Sequence, residues 1–508
     1  RPPIIGCYDQ LLASEAFAER HRPDAVLHVG GRFVSKRLRL FLAKSRPPTY
    51  VLATDTDGPG IDRPDVADFG AHLVRAPLAS VDGYWGALRL QVADGEQRRD
   101  LTTVFGIDPS ETFDLVVDLN RPPALTRDKG PLGYFAPADE ARLATAIDEL
   151  PAWVGDFDKP RFFEYDPSIC VHGARGQSGC NRCLDACATE AIRSLGERIE
   201  VDPFLCLGCG SCATACPTGA ITYTAPSGEV MVDQLRGLLR RYREAGGRNP
   251  VVLFHDGEAG RSAFGAGRVV LTVAPDTPAA ERATTHDQLE IAREILVGLG
   301  LPADRLASVD IGGDESALTE APEPVVAEPA TFAGVGDKRA RLRRALEHLY
   351  RQTGETAGVQ PLPAGAPLGA IAVDTDACTL CMACVSVCPT QAVIGGGEQA
   401  QLKFREDRCV QCGLCERTCP EDAIELTPQI DFAAQLAPAE RVLNEEPLHH
   451  CPGCGKAFAT RKMIERMEQR LAGHWMFDND SARQRLWLCE DCRVKAMVRD
   501  EGSINPYR

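Results

Sequence analysis

No run of 18 consecutive apolar residues occurs anywhere in the 508-residue chain, so no membrane-spanning helix is expected. The chain opens on Arg1 with no basic start and short apolar stretch behind it, so a secretory leader is not expected either. Basic residues are in short supply: 56 Lys and Arg stand against 72 Asp and Glu, a net charge of −16, which argues against a general nucleic-acid binder. No C-x-x-C-H is present, which excludes a c-type haem, and no complete G-x-G-x-x-G marks a dinucleotide site. Gly30-Gly31 after a strand reads as a tight turn rather than a phosphate cradle. No nucleophile–base pair or open metal site is legible, so a stand-alone enzyme is the least favoured class.

What the chain has in excess is cysteine. Of 21, all but Cys7 fall into five groups of four. Three groups, Cys206 to Cys216, Cys378 to Cys388 and Cys409 to Cys419, follow C-x2-C-x2-C-x3-C, the run of two-cluster bacterial ferredoxins. Three thiolates spaced by two residues wrap one face of a cubane. The fourth starts a new turn and points at the neighbouring cubane. That rule assigns four [4Fe-4S] clusters. Cluster one takes Cys170, Cys180, Cys183 and Cys216, and cluster two takes Cys206, Cys209, Cys212 and Cys187. Cluster three takes Cys378, Cys381, Cys384 and Cys419, and cluster four takes Cys409, Cys412, Cys415 and Cys388. The first group departs from the pattern, with nine residues between Cys170 and Cys180 and with Ala188 in the usual proline position. A three-iron cluster or zinc at one of the sites is the alternative.

The segments after each fourth cysteine repeat as Cys187-Ala-Thr-Glu-Ala-Ile, Cys216-Pro-Thr-Gly-Ala-Ile, Cys388-Pro-Thr-Gln-Ala-Val and Cys419-Pro-Glu-Asp-Ala-Ile. The repeat therefore works at two scales, within each ferredoxin unit and between two units. The fifth group, Cys451-Pro-Gly-Cys454 and Cys489-Glu-Asp-Cys492, forms two knuckles suited to one tetrahedral structural Zn(2+). His449 and His450 read as flanking residues, with a ligand role as the alternative. A helix is expected over Ala457 to Arg470, with Phe458, Met463 and Met467 on one side. Each loaded site carries about −2, so five of them deepen the formal charge by about −10. So anionic a protein suits a basic patch on a redox partner. Clustered C-x2-C thiols in a long chain fit a reducing cytoplasm better than disulfides.

The expected fold is multidomain, α+β and α/β. It comprises two bacterial-type dicluster ferredoxin units, small Rossmann- or flavodoxin-like α/β layers, and a C-terminal four-cysteine zinc-ribbon-like module. Its divisions are an α/β domain over 1–82, an α/β remainder and connection over 83–160, and ferredoxin unit 1 over 161–228. A small α/β segment follows over 229–312, a linker rich in Glu, Pro, Ala and Gly over 313–337, and a helix with its connection over 338–366. Ferredoxin unit 2 spans 367–430 and the zinc-ribbon-like module 431–508. Strands are expected at Ala25 to Val29, Tyr50 to Thr54, His72 to Val74, Asp114 to Leu119, Val251 to His255, Arg268 to Val273 and Leu306 to Ile311. Helices are expected at Val34 to Ala43, Pro278 to Gly298 and Lys338 to Gln352. The arginines of the last helix read as a solvated face. His255-Asp256 reads as turn chemistry.

Two resemblances add to this reading. Gly133-Tyr-Phe-Ala-Pro, Val154-Gly-Asp-Phe-Asp-Lys-Pro-Arg, Gly179-Cys-Asn-Arg-Cys-Leu-Asp-Ala-Cys, Ala472-Gly-His-Trp-Met-Phe and Cys489-Glu-Asp-Cys-Arg-Val carry the first. From about residue 84 onward the chain resembles a bacterial family of four-cluster ferredoxin-type proteins associated with formate dehydrogenases. The resemblance implies electron transfer to or from such an oxidoreductase. The alternatives are an obligate iron–sulfur subunit of that enzyme and an assembly scaffold for a molybdenum enzyme. Residues 4–80, through Tyr8-Asp-Gln-Leu-Leu, Arg22-Pro-Asp-Ala-Val-Leu-His-Val-Gly-Gly and Val34-Ser-Lys-Arg-Leu, resemble something else. They are similar to the central domain of 2-succinyl-5-enolpyruvyl-6-hydroxy-3-cyclohexene-1-carboxylate synthase, a thiamine-diphosphate enzyme. That resemblance implies a fold and not the reaction, since nothing here matches the cofactor-holding outer domains.

Overall fold

The structure, a computed structural model, describes residues 78–94, 97–106, 108–118, 120, 122–125, 127–153, 157–247, 268–311, 336–353 and 358–499. It also describes the strands Val26–Val29, Thr49–Ala53, Ala71–Arg75 and Val251–Phe254. Cys7, Gly30-Gly31, the helix expected at Val34 to Ala43, His255-Asp256 and most of the 313–337 segment lie outside the described residues.

The first layer is a parallel sheet in the spatial order Ala71–Arg75, Thr49–Ala53, Val26–Val29, Val116–Val117, Tyr134–Phe135. Its first three strands are short apolar runs of the kind that parallel sheets bury on both faces. An antiparallel meander, Leu78–Tyr84, Ala87–Asp94 and Gln97–Asp100, follows. Leu88, Leu90 and Val92 alternate onto one face, fully buried with Val81, Leu101, Phe113 and Val116. The expected α/β remainder passed over this period-two run, and the meander's first strand crosses residue 82, where a division was expected.

The two cysteine-rich units share one plan. In the first, Phe163–Tyr165 pairs with Ile221–Tyr223, and Ile192–Ser194 with Ile199–Val201, around the short helices Arg182–Asp185 and Ser211–Ala215. In the second, Gly369–Val373 pairs with Ile424–Asp431, and Val393–Gly395 with Gln401–Phe404, around Ala383–Val387 and Leu414–Thr418. The sequence repeat is thus a repeat of strands and helices in the same order.

Between the units, parallel strands Val251–Phe254, Arg268–Val273 and Leu306–Asp310 accompany the helix Ala279–Gly298. A 17-residue helix, Gly228–Glu244, was not foreseen; Ser227 caps it by accepting the Val230 amide. A shared core then ties the middle of the chain to the second unit. Ile291, Ile295 and Leu299 meet Leu346 of the helix Lys338–Thr353 and Leu362, Leu368, Ile430 and Phe432 in and beside the second unit. Burying these eight side chains, with Leu301 and Ala366, is the dominant attraction holding these segments together.

The C-terminal module corrects one expectation. Ala457–Thr460 is a strand paired with Leu448–His450, and the helix starts only at Arg461 and runs to Leu471. Thr460 is the reason: its hydroxyl accepts the Met463 amide and ends the extended segment as an N-cap. Phe458 therefore packs on the His449 ring from a strand, off any helix face, and Ile464 is the buried helix residue.

Candidate metal centres

All twenty grouped cysteines are described, and none is joined in a disulfide. Their loops owe their shape to left-handed residues at repeating positions. In the C-x2-C-x2-C stretches the second and fourth residues after the leading cysteine have positive φ: Gly208 and Gly210, Leu380 and Met382, Gln411 and Gly413. The third residue after each fourth cysteine does the same: Glu190, Gly219, Gln391 and Asp422. Non-glycine residues resist this region by roughly 1–2 kcal/mol each, so the surroundings must impose it. At Gly208 a side chain is also sterically barred, because a Cβ would lie 2.7 Å from the Phe162 ring.

This curvature aims backbone and side-chain donors at sulfur. Ala191 N–H donates to Cys187 Sγ and Ala423 N–H to Cys419 Sγ, each at 3.3 Å, from matching places in the repeat. Gln411 Nε2 donates to Cys409 Sγ at 3.3 Å. Thr189, Thr218 and Thr390 hydroxyls stand 3.6–3.7 Å from Cys187, Cys216 and Cys388 Sγ. Such bonds favour thiolate over thiol and tune any cluster the sulfur holds.

In the second unit the thiols line two separate small cavities. One is lined by Cys378, Cys381, Cys384 and Cys419. The other is lined by Cys388, Cys409, Cys412 and Cys415. In the first unit the neighbouring thiols act on one another. Burial, then the charges of Cys180, Cys216, Cys170 and Cys212, push the Cys183 thiol well up. Burial, then Cys209, Cys187 and Cys206, push Cys212 up to about 12. Cys384 is likewise raised to about 12 and Cys412 to about 11, mainly by burial. A multivalent cation bound among such thiols displaces their protons and neutralises the charge. The donor sets, four thiols each, fit a cubane of iron and sulfide.

Cys451, Cys454, Cys489 and Cys492 differ in kind. Their Sγ atoms all lie within 4.8 Å of one another, compatible with the edge of about 3.8 Å expected of a tetrahedron with Zn–S near 2.3 Å. Cys451 Sγ accepts the Cys489 and Gly453 amides at 3.3 and 3.4 Å, and the first of these leads in lowering its thiol to about 6. At Gly453 the space is tight, since a Cβ there would lie 3.2 Å from Cys492 Sγ. His449 packs between Phe458 and Trp487. Neither His449 nor His450 belongs to the four-sulfur group.

The basic residues around the loops were not foreseen as part of the site. Lys338 Nζ donates to the carbonyls of Ala213, Thr214 and Cys216 at 2.9, 2.6 and 2.8 Å. Burial brings its ammonium down to about 8, while the Cys216 thiolate opposes the shift. The next residue, Arg339, donates to Pro367 O and Asp407 O at 3.1 and 2.7 Å. Arg343 and Arg351 are exposed, as expected of a solvated face, but Lys338 and Arg339 reach into the two cysteine-rich units. Their position at the start of a helix after an acidic cap, Asp337, is visible in sequence, but the long-range carbonyls they meet are not.

The zinc-ribbon-like module leans on the second unit. Thr460 Oγ1 donates to Thr379 O at 3.1 Å, Lys462 Nζ to Thr375 O at 2.7 Å, and Arg466 and Arg470 pair with the buried Glu421 carboxylate at 2.7 and 3.0 Å. Among the described residues no helix is long and apolar enough to cross a membrane.

Comparison with known proteins agrees with the cysteine-rich units. Residues 178–220 and 377–424 each match a 4Fe-4S dicluster domain, the first match leaving Cys170 outside. An uncharacterized ferredoxin of Methanocaldococcus jannaschii is 36% identical over 58 residues, 11% of this chain and 32% of the relative. 2-succinyl-5-enolpyruvyl-6-hydroxy-3-cyclohexene-1-carboxylate synthase of Salinibacter ruber is 59% identical over 83 residues, 16% of this chain and 13% of the relative. The chain thus spans about a third or less of either relative. Two dicluster regions and a ferredoxin relative give the chain the general character of an iron–sulfur electron-transfer protein, with a separate four-cysteine site of a geometry that could hold a metal ion.

Proposed function

We propose that the chain relays single electrons through four [4Fe-4S] clusters and performs no bond chemistry of its own. The observation that carries this reading is the pairing of Cys419 with the Cys378–Cys384 loop and of Cys388 with the Cys409–Cys415 loop around two separate cavities. In the first unit Cys170, Cys180, Cys183 and Cys216 form cluster one, and Cys206, Cys209, Cys212 and Cys187 form cluster two. A bound cubane supplies one-electron storage at a potential set by hydrogen bonds and exposure. The protein's residues hold the thiolates, direct amides at sulfur and exclude water. Cys451, Cys454, Cys489 and Cys492 hold one structural Zn(2+) with no position left open to substrate. The compartment is a reducing one. The partner is an oxidoreductase of the formate dehydrogenase type, by resemblance, docking through complementary charge against this acidic chain.

The test is an anaerobic redox titration of the full chain, with iron and zinc counted in the same sample. The expected result is about sixteen iron atoms per chain, reducible below about −300 mV, with one zinc. Cys209→Ser and Cys412→Ser should each lose iron; unchanged iron in both sinks the ligand assignment. Formate dehydrogenase with formate is then offered as donor, and failure to reduce the chain removes that partner while leaving the relay.

A further inference from the structure

Four observations concern the seam between the two cysteine-rich units. Arg417 Nη2 donates at once to Gly179 O at 3.0 Å and to Cys412 O at 2.8 Å, so one nitrogen bridges the peptide preceding Cys180 and the carbonyl of Cys412. Gly179 faces the fully buried Leu414 so closely that a Cβ would lie 3.0 Å from its Cγ. Arg182 crosses the same seam to donate to Ala366 O at 3.2 Å, and its guanidinium feels the thiolates of Cys180, Cys412 and Cys216. Lys338 and Arg339, consecutive on one helix, grip Cys216 O and Asp407 O on opposite sides of it.

Exposure gives an independent ordering. Of the sixteen cysteines in the two units, two are exposed: Cys209 and Cys381. They belong to the two groups that do not meet at the seam. Every cysteine of the Cys170/Cys180/Cys183/Cys216 and Cys388/Cys409/Cys412/Cys415 groups is buried or half-buried.

We infer that the two units form one continuous wire, joined where Cys180 adjoins Cys412. Its order is Cys206/209/212/187, then Cys170/180/183/216, then Cys388/409/412/415, then Cys378/381/384/419, with terminals at Cys209 and Cys381. This rests on the four-cluster reading above and adds to it a sequence of transfers and two ports. An electron crossing the seam oxidises one cubane from 1+ to 2+ and reduces its neighbour from 2+ to 1+, and no bond or proton moves. A low-potential one-electron donor protein supplies the electron at one terminal and a second protein removes it at the other. The cations Arg182, Arg417, Lys338 and Arg339 offset the repulsion of two anionic cubanes brought together. They are positioning residues, holding the seam closed.

The experiment uses the full chain with its clusters loaded, reduced in steps with dithionite and followed by electron paramagnetic resonance. In the native protein, full reduction should produce spin–spin interaction between the units as well as within each. Arg417→Met should keep the iron content and both within-unit interactions and lose the one across the seam. Arg339→Met, which removes the donor to the Asp407 carbonyl two residues before Cys409, should weaken the same interaction. Four clusters present in the native chain as two pairs blind to each other overturn the wire and leave the four-cluster reading standing. Iron far short of four clusters overturns both.

Discussion

Lys338 reaches from outside the first cysteine-rich unit to donate to the carbonyl of Cys216 at 2.8 Å. This cation finishes the end of the Ser211–Ala215 helix and faces the sulfur of the same cysteine. A helix C-terminus favours a positive charge, and so does an anionic cluster.

Removing that charge should make the cluster held by Cys216 harder to reduce. Lys338→Met is expected to lower one midpoint potential by tens of millivolts, on the order of a Coulomb interaction at an effective dielectric of about 20. Lys338→Arg should stay near the native value. A redox titration in which all potentials coincide between native and Lys338→Met would contradict the assignment.

The pairing of Arg466 and Arg470 with Glu421 joins the Arg461–Leu471 helix to the Cys419 loop. The two arginines are half-exposed but the carboxylate is buried, so removing both leaves a buried charge without a partner. Arg466→Ala with Arg470→Ala should destabilise the second unit by about 1–3 kcal/mol. Denaturant unfolding checks this, and Glu421→Gln should recover part of the loss.

Stripping zinc should be felt at a distance. Thr460 and Lys462 hold the Thr379 and Thr375 carbonyls, which flank Cys378. Cys489→Ser is expected to lose zinc and, with it, the sharpness of the signal from the Cys378/381/384/419 cluster, while the first unit's signals stay unchanged. Equal loss from all clusters would show general unfolding instead.

Glu406 offers a pH test. Burial raises its carboxyl above the ordinary value, opposed by donation from Gln429 Nε2 and the Asp431 amide. With the folded-state pKa above the unfolded one, the charged form is disfavoured by folding. The cost is full above the folded value and vanishes below the unfolded one, near 4.3. Glu406→Gln should therefore raise the melting temperature at pH 8 and do so by less as pH falls toward 5. A benefit that grows on acidification would reverse the sign and refute the argument.

Much of the site was legible because iron–sulfur ligation is written in local spacing. Cysteines two and three residues apart announce their loops, and the repeat after each fourth cysteine recurs as the left-handed residues Glu190, Gly219, Gln391 and Asp422. The parallel strands at Val26–Val29, Thr49–Ala53 and Arg268–Val273 were equally plain as apolar runs. What spacing does not encode is who meets whom across 100 or more residues. The contacts of Lys338 with Cys216 and of Arg417 with Gly179 lie 122 and 238 residues apart in sequence. Ala457–Thr460 was misread because four residues hold too little period to separate strand from helix; the Thr460 cap was the available signal.

Lys338 and Arg339 have one more implication, which concerns tolerance to change. Successive side chains on an α-helix diverge by about 100°, a constant of the peptide backbone. Two neighbours on one helix, each clasping a different unit, therefore fix the relative bearing of those units by peptide geometry. Relatives that keep the basic pair and its acceptor carbonyls should inherit the same alignment.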